Sequence, residues 1–374
     1  MFTNEIKELV KNRGVVVLLI LAPIVYPMLY CGLYWNETLL DVPIAVVDPS
    51  NTSLSRQFIR HMDASPDVAV HCRCASLEEA RQQFASGAVH GVLSIPADFS
   101  ALLQRGEQAH VSVYSDMSSF LYYRSMVLAS NYVALEMGQN IQVQRLSQQG
   151  IVGAQSDMLA RPLPYEGVVL YNSDMGFASF LMPAILILIL HQTLFFGIGM
   201  AAGADREDKR RLSWNTLFTR SSLYVLLYAL LTLYVVGFVP KFFHLPHLGN
   251  PLTLLAFAIP FLLATVFFAL SCSVFNPNRE TQLVLFLFFS LILLFLSGIS
   301  WPESNLPAFW RIFAQLFPAT FGIRAYIKIN SMGAGIAQIQ TELVGLWIQT
   351  AVYFITALLT HRWALQRQTR NCPN

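Results

Sequence analysis

Charge is what this sequence has least of. Only 12% of its 374 residues are Asp, Glu, Lys or Arg, while 55% are hydrophobic. An ordinary soluble domain carries about 25% charged residues. The scarcity is not uniform. Six blocks (15–34, 177–200, 222–239, 252–275, 283–299 and 343–359) contain no Asp, Glu, Lys or Arg at all. About 20 helical residues cross 30 Å of hydrocarbon, so each block is read as a membrane span. None shows the two-residue alternation of a barrel strand, which favours helices.

Other absences narrow the function. Charge-free spans weigh against an ion-coupled carrier, because proton and ion relays use intramembrane ionisable residues. The one imidazole well inside a span is His191, followed by Gln192. The pair is read as hydrogen-bonding between helices, with an intramembrane polar site as the alternative. The phosphate-cradling pattern G-x-x-x-x-G-K-[ST] is missing, so the chain has no nucleotide site of that type. No nucleophile elbow, dinucleotide turn or metal-spaced His/Asp cluster occurs, and no catalytic, cofactor or metal residues are assigned. Five cysteines (31, 72, 74, 272 and 372) include no second pair for a zinc site. Cys72 and Cys74 lie two apart on an expected strand, facing one side, where a disulfide would be strained. The first block is too long for a signal peptide, lacks a small-x-small cleavage site, and is read as an anchor helix.

The charges that remain are informative. With the N-terminus inside, the inner segments hold twelve Lys and Arg and the short outer loops four. That bias places both termini in the cytoplasm and 36–174 outside. The basic residues are topology signals, and no nucleic acid partner is implied. Segment 36–174 has a different composition. PIAVVD (43–48), VAVHC (68–72), GVLSI (91–95) and HVSVYSD (110–116) read as strands, with helical patterns at 53–62, 77–85, 98–104 and 120–147. Ser76 and Glu79 form a capping signal, and the scattered His61, His71, His90 and His110 read as structural. The fold class is therefore a polytopic α-helical membrane protein. Six transmembrane helices are expected, with an α/β extracytoplasmic domain inserted between helices 1 and 2.

Expected boundaries follow. Residues 1–14 form a cytoplasmic amphipathic helix, with Phe2, Ile6, Leu9 and Val10 on its apolar side and Glu5, Lys7 and Lys11 outward. Helix 1 covers 15–35, the external domain 36–174, helices 2–6 residues 175–362, and a cytoplasmic tail 363–374. Within the inner loop 201–220, Leu212, Trp214, Leu217 and Phe218 recur at helical spacing and predict a short amphipathic helix at the membrane face. A charged topology loop is the alternative. In FLSGISWPESNLPAFWRIFAQLFPAT (295–320), Gly298, Pro302, Pro307 and Pro318 interrupt helix, and Trp301 and Trp310 suit an interface.

This layout resembles the ABC-2 type permease family, in its branch of bacterial exporters with a large periplasmic insert. The similarity rests on PIAVVDPSNTSLSRQF (43–58), GAVHGVLSIPADFSALLQRG (87–106), the 295–320 stretch and ADREDKRRLSWNTLFTR (204–220). The resemblance implies an exporter subunit of the bacterial inner membrane, moving a hydrophobic or amphipathic substrate such as a multidrug-efflux cargo. It implies a dimer with a second permease, identical or related, set in membrane lipids. It also implies an ABC ATPase on a separate chain that binds ATP and Mg, and a periplasmic adaptor in a Gram-negative cell. Asp205, Arg206, Glu207, Asp208, Arg211 and Trp214 fall at the family's ATPase-coupling loop, although the usual Gly-Thr is replaced by Arg211-Leu212-Ser213. Residues 300–320, with Ser297 and Gly298 before them, fall at its re-entrant outer mouth. The rival reading is a non-transporting receptor or assembly factor using the external domain as a binding module.

Overall fold

The computed structural model describes residues 2–163, 167–172, 175–208, 210, 212–276, 278–299 and 301–371. The chain divides into two compact units, one of residues 1–37 and 169–374, the other of residues 38–168.

The first unit is helical. Helix α1 (Phe2–Lys11) leads through Asn12, whose side chain accepts from Gly14 N at 3.2 Å, into α2 (Arg13–Leu33). A π turn at Val17–Leu21 sits just before Pro23, where a missing N–H disturbs the ordinary ladder. Next come α3 (Phe177–Glu207), α4 (Trp214–Phe242) and α5 (Pro251–Ser273). They are followed by α6 (Arg279–Leu296), α7 (Ala308–Ala314), α8 (Pro318–Met332) and α9 (Gln340–Asn371). Among the described residues five helices, α2, α3, α4, α5 and α9, are long and apolar enough to cross a membrane. Helix α3 is the most buried and touches α2, α5, α6 and α8.

Outward-facing side chains explain the solvent this unit needs. Val344, Trp347, Ile348, Val352, Ile355 and Leu359 expose one apolar face of α9, and Val284, Phe288, Ile292 and Phe295 one face of α6. Such faces would associate in water but are at rest in lipid. Between helices, the Tyr228 hydroxyl donates to Thr193 Oγ1 at 3.1 Å, and Ser271 Oγ meets Thr356 Oγ1 at 2.9 Å. Bonds of this kind average about 0.6 kcal/mol in a bilayer. Close packing must therefore do most of the holding. At Gly203 of α3, a Cβ would lie 2.9 Å from the backbone of Asn278 and Arg279, where neither neighbour can yield.

The interrupted stretch after α6 has a local cause at each break. Ser297 Oγ donates to Leu294 O at 2.5 Å, and Gly298 takes φ 84°, a left-handed turn that ends the helix. Pro302 precedes a 3₁₀ turn (Glu303–Asn305), Pro307 precedes α7, and Pro318 opens α8, the first-turn position that tolerates a missing N–H. Ser300 lies outside the described residues.

Two expectations are corrected here. The inner loop is not 20 residues long, nor does it hold a separate amphipathic helix. Helix α3 continues to Glu207 and α4 begins at Trp214, so only 208–213 lie between them. Leu217 is buried in the first turns of α4, while Phe218 is exposed. Glu5, expected outward, is buried. In both cases charges find partners distant in sequence, as described below.

The second unit is an α/β layer. Its sheet has the order β2-β1-β3-β4, with β1 Val42–Val47, β2 Val68–Cys74, β3 Gly91–Ser94 and β4 Ser112–Ser115. Strand β1 is parallel to both neighbours, and β4 is antiparallel to β3. A central strand buried on both faces explains the unbroken apolar run of β1. Ile44 and Val46 join Phe58, Met62, Leu93 and Met126 on one face, and Ala45 and Val47 join Ala80, Val89 and Val92 on the other. Helices Ser53–Asp63, Leu77–Ala85, Phe99–Arg105 and Phe120–Gln148 flank the strands. Thr52 and Ser55 cap the first reciprocally, and Asp48 accepts from Ser55 Oγ at 2.7 Å. Ser76 caps the second, while Glu79 accepts from Ala75 N at 2.7 Å. Cys72 and Cys74 are free, with sulfurs 3.9 Å apart. Burial pushes the Cys74 thiol up to about 11, which leaves it protonated and unreactive at neutral pH.

Replacing Gly203 with Val should force α6 away from α3, at an overpacking cost of about 1–3 kcal/mol. The purified protein in detergent should melt several degrees lower. An unchanged melting temperature would contradict the close approach.

Candidate functional site

At the end of the first unit where α1, α3 and α4 meet, four charges converge inside an apolar bundle. Arg220, in the second turn of α4, is 8% exposed. Its Nε donates to Glu5 Oε2 at 2.7 Å and its Nη2 to Asp205 Oδ1 at 3.1 Å, with Nη1 also on Asp205. Arg210 Nη2 donates to Glu5 Oε1 at 3.0 Å and Nη1 lies 3.6 Å from Asp205. Two acids and two bases thus form a neutral set. Glu5 brings α1, Asp205 the last turns of α3, Arg210 the 208–213 turn, and Arg220 the start of α4. A cleft of about 510 Å³ opens beside them, with Glu8, Lys11, Asp208 and Arg279 also on its walls.

The expected coupling residues take different places. Asp205 belongs to the buried set. Arg206 Nη2 donates to Ser273 O at 3.0 Å and also to Val274 O, capping the end of α5. Glu207 pairs with Arg279 Nε at 2.8 Å and accepts from Arg279 N at 3.0 Å, capping the start of α6. Trp214 packs on His361 of α9, with ring centroids 5.0 Å apart. Asp208 is exposed. Arg211 lies outside the described residues. The turn is further held by Gln368 of α9, which accepts from Leu212 N at 3.0 Å and donates to Arg210 O at 3.1 Å.

The other expected positions form separate places. His191 is buried between Phe195 and Phe268, with centroid distances of 6.2 and 6.3 Å. Neither ring nitrogen has a hydrogen-bond partner among the described residues. Its neighbour Thr193, not the imidazole, bonds across to α4. In the 297–318 stretch, Trp301, Phe309, Trp310 and Ile312 are exposed, while Phe317 and Ala314 are buried, so α7 exposes large apolar side chains and is buried only at its last residue. Arg324 of α8 holds Glu303 at 2.8 Å.

Sequence reasoning missed Glu5, Arg210 and Arg220 as a set, and Gln368. One signal was available for Arg220: it sits two residues before a charge-free run, where an unpaired guanidinium would be costly. Nothing local indicates that Glu5, 215 residues away, is its partner.

Taken together, the features are those of a multi-pass membrane protein whose helices are tied at one end by charge and packed by small residues elsewhere. The chain belongs to the ABC-2 transporter family: that family's model, described as "ABC-2 family transporter protein", matches residues 13–359. Membership makes it the membrane subunit type of an ABC transporter, for which the partner is an ABC ATPase. No curated protein matches the chain.

Arg220→Met should leave buried Glu5 and half-buried Asp205 without their main counter-charge, at roughly 3–5 kcal/mol. Adding Glu5→Gln should cost much less than the sum of the two single changes. Unfolding of the purified variants measures both. Additive losses would show that the two side chains do not interact.

Proposed function

We propose that this chain is the permease subunit of an ABC exporter, driven by ATP and Mg bound on a separate ATPase, with a hydrophobic or amphipathic cargo. The chain acts in the bacterial inner membrane as six crossings, α6 being the sixth. Both termini are cytoplasmic, the α/β unit is extracytoplasmic, and a second permease, identical or related, completes the transporter. The observation that carries this reading is the ion network. It makes α1, the 208–213 turn and the ends of α3 and α4 a single charged body at the end assigned to the cytoplasm. A push on the turn is then a push on three helices, which is the mechanical requirement for coupling nucleotide closure to a change of access. Four cross-element contacts hold the turn itself, so motion there is transmitted and not absorbed locally.

On this reading, fewer of the loop residues would touch the ATPase. Asp205, Arg206 and Glu207 are committed to internal partners. Asp208 and neighbouring exposed parts of the turn supply the contact surface. The 297–318 stretch, with Phe309, Trp310 and Ile312 of α7 exposed, supports the role of an outer mouth between two permeases. The α/β unit would meet a periplasmic adaptor.

The test is purification from the native host after mild cross-linking, with mass spectrometry of partners. Asp208→Cys should cross-link to a near-stoichiometric ABC ATPase. Asp208→Lys should lower recovery of that ATPase at least tenfold while the protein still folds, since Asp208 makes no internal ion pair among the described residues. A clean chain without any ATPase, under conditions that preserve a known ABC complex, contradicts the proposal.

A further inference from the structure

At the far end of the same helical unit, where α2 ends and α3 begins, lies a second cleft of about 450 Å³. That size falls within the roughly 300–1,000 Å³ of small-molecule sites. Its walls mix aromatic rings (Trp35, Tyr171, Phe243 and His244) with aliphatic and polar side chains. Trp35 meets Phe243 edge-on with ring centroids 5.2 Å apart, and Tyr171 adds a third ring. Among the described residues on its walls there is one carboxylate, Glu37, and no Lys or Arg.

Glu37 is held in place with care. Its Oε1 accepts from Ser179 Oγ at 2.7 Å, its Oε2 from Ser179 N at 3.0 Å, and its backbone carbonyl from Phe177 N at 2.7 Å. The carboxylate can lie there only because residue 176 is glycine: a Cβ would come within 2.0 Å of Oε2. Asn172 clasps Gly176 from the other side, donating to its carbonyl at 2.9 Å and accepting from its N–H at 3.0 Å. A carboxylate has about four acceptor positions, and the bonds to Ser179 use two, so acceptor capacity remains. Because Glu37 occupies the start of α3, that helix end is closed to an anionic ligand.

Backbone strain gathers at the same spot. Among the described residues, the non-glycine positions with left-handed φ are Asp41, Asn51, Tyr171, Met175 and His244. Tyr171 (φ 69°) and His244 (φ 56°) line the cleft, and Met175 (φ 50°) directly precedes Gly176. Strained residues of this kind cluster at ligand clamps, where the surroundings hold them. A helix cap alone needs no aromatic walls, open volume or strained lining.

We propose that this cleft binds an organic cation with an apolar body. Ring faces and edges take the body and the charge sits beside Glu37, combining cation–π attraction with a fixed carboxylate. The inference rests on the exporter reading and names its substrate class, a lipophilic cation on the exit side.

Two ions of nearly identical shape and opposite charge test it: tetraphenylphosphonium and tetraphenylborate. Equilibrium binding to the full-length protein in detergent is measured against empty micelles. Saturable tetraphenylphosphonium binding near one per chain is expected, with no saturable tetraphenylborate binding. Glu37→Gln keeps an acceptor oxygen for Ser179 and should keep the melting temperature, yet weaken the cation at least tenfold. Trp35→Ala, which leaves the cap intact, should weaken it to a similar extent. Equal binding of both ions, unchanged affinity in both variants, or no saturable cation binding overturns the site. Binding needs no ATPase. A chain that binds the cation through Glu37 but recruits no ATPase would overturn the exporter reading alone. An ATPase-bound chain without such binding would overturn this site alone.

Discussion

Arg220 is a guanidinium at the start of a helix that is otherwise apolar, and it has almost no contact with solvent. A lone charge there would carry a desolvation penalty of several kcal/mol. It is tolerable because Glu5 and Asp205 reach it from two other elements, and Arg210 balances the second acid. The consequence is geometric. To keep Arg220 neutralised, α1 must lie against the start of α4, α3 must run on to residue 205, and the turn must be short enough to bring Arg210 back. Replacement by apolar residues of similar volume could hold the helices as well or better. A charged tie therefore makes most sense as a device for register and for moving parts together.

The rest of the helical unit is built differently. Span-to-span hydrogen bonds such as Tyr228 to Thr193 and Thr350 to Pro260 O are individually weak, and small residues let backbones approach at points such as Gly203 beside Asn278. The bundle is thus packed along its length and tied by charge at one end. Such an arrangement can rock about packed surfaces while its tied end moves as a piece. At the other end, Glu37 and Gly176 fix where α3 begins, so the central helix is held at its start by a carboxylate from just beyond the end of α2 and near its finish by arginines that meet its own Asp205 and Glu207.

Much of the architecture was legible in the sequence, and the exceptions have a common cause. The apolar blocks announced membrane helices because an unpaired charge is excluded from lipid. The strands read at 43–48, 68–72, 91–95 and 110–116 coincide with β1 to β4, because period and β-branched composition are local signals. Gly298 and the prolines at 302, 307 and 318 act through their own backbones and could be read locally. What could not be read was pairing at a distance. Charges at 205–207 looked like a solvated loop because composition cannot show that Arg206 caps α5 and Glu207 caps α6. Glu5 looked outward on a helical wheel because its partner lies in another helix. The same reasoning hides Gln368, which clamps the turn from the far end of the chain. His191 is the reverse case: a polar group that suggested a bond, placed instead between two rings.

The central claim is that α1 and the 208–213 turn form one mechanical body. It is tested most directly by a spin-label distance between Val10→Cys and Asp208→Cys, in the complex with its ATPase, with and without ATP. Both positions are exposed. The account predicts an unchanged, narrow distance in both nucleotide states, and a broadened, nucleotide-dependent one when Glu5→Gln and Arg220→Met are added. A distance that already shifts with ATP in the otherwise unaltered protein would contradict it.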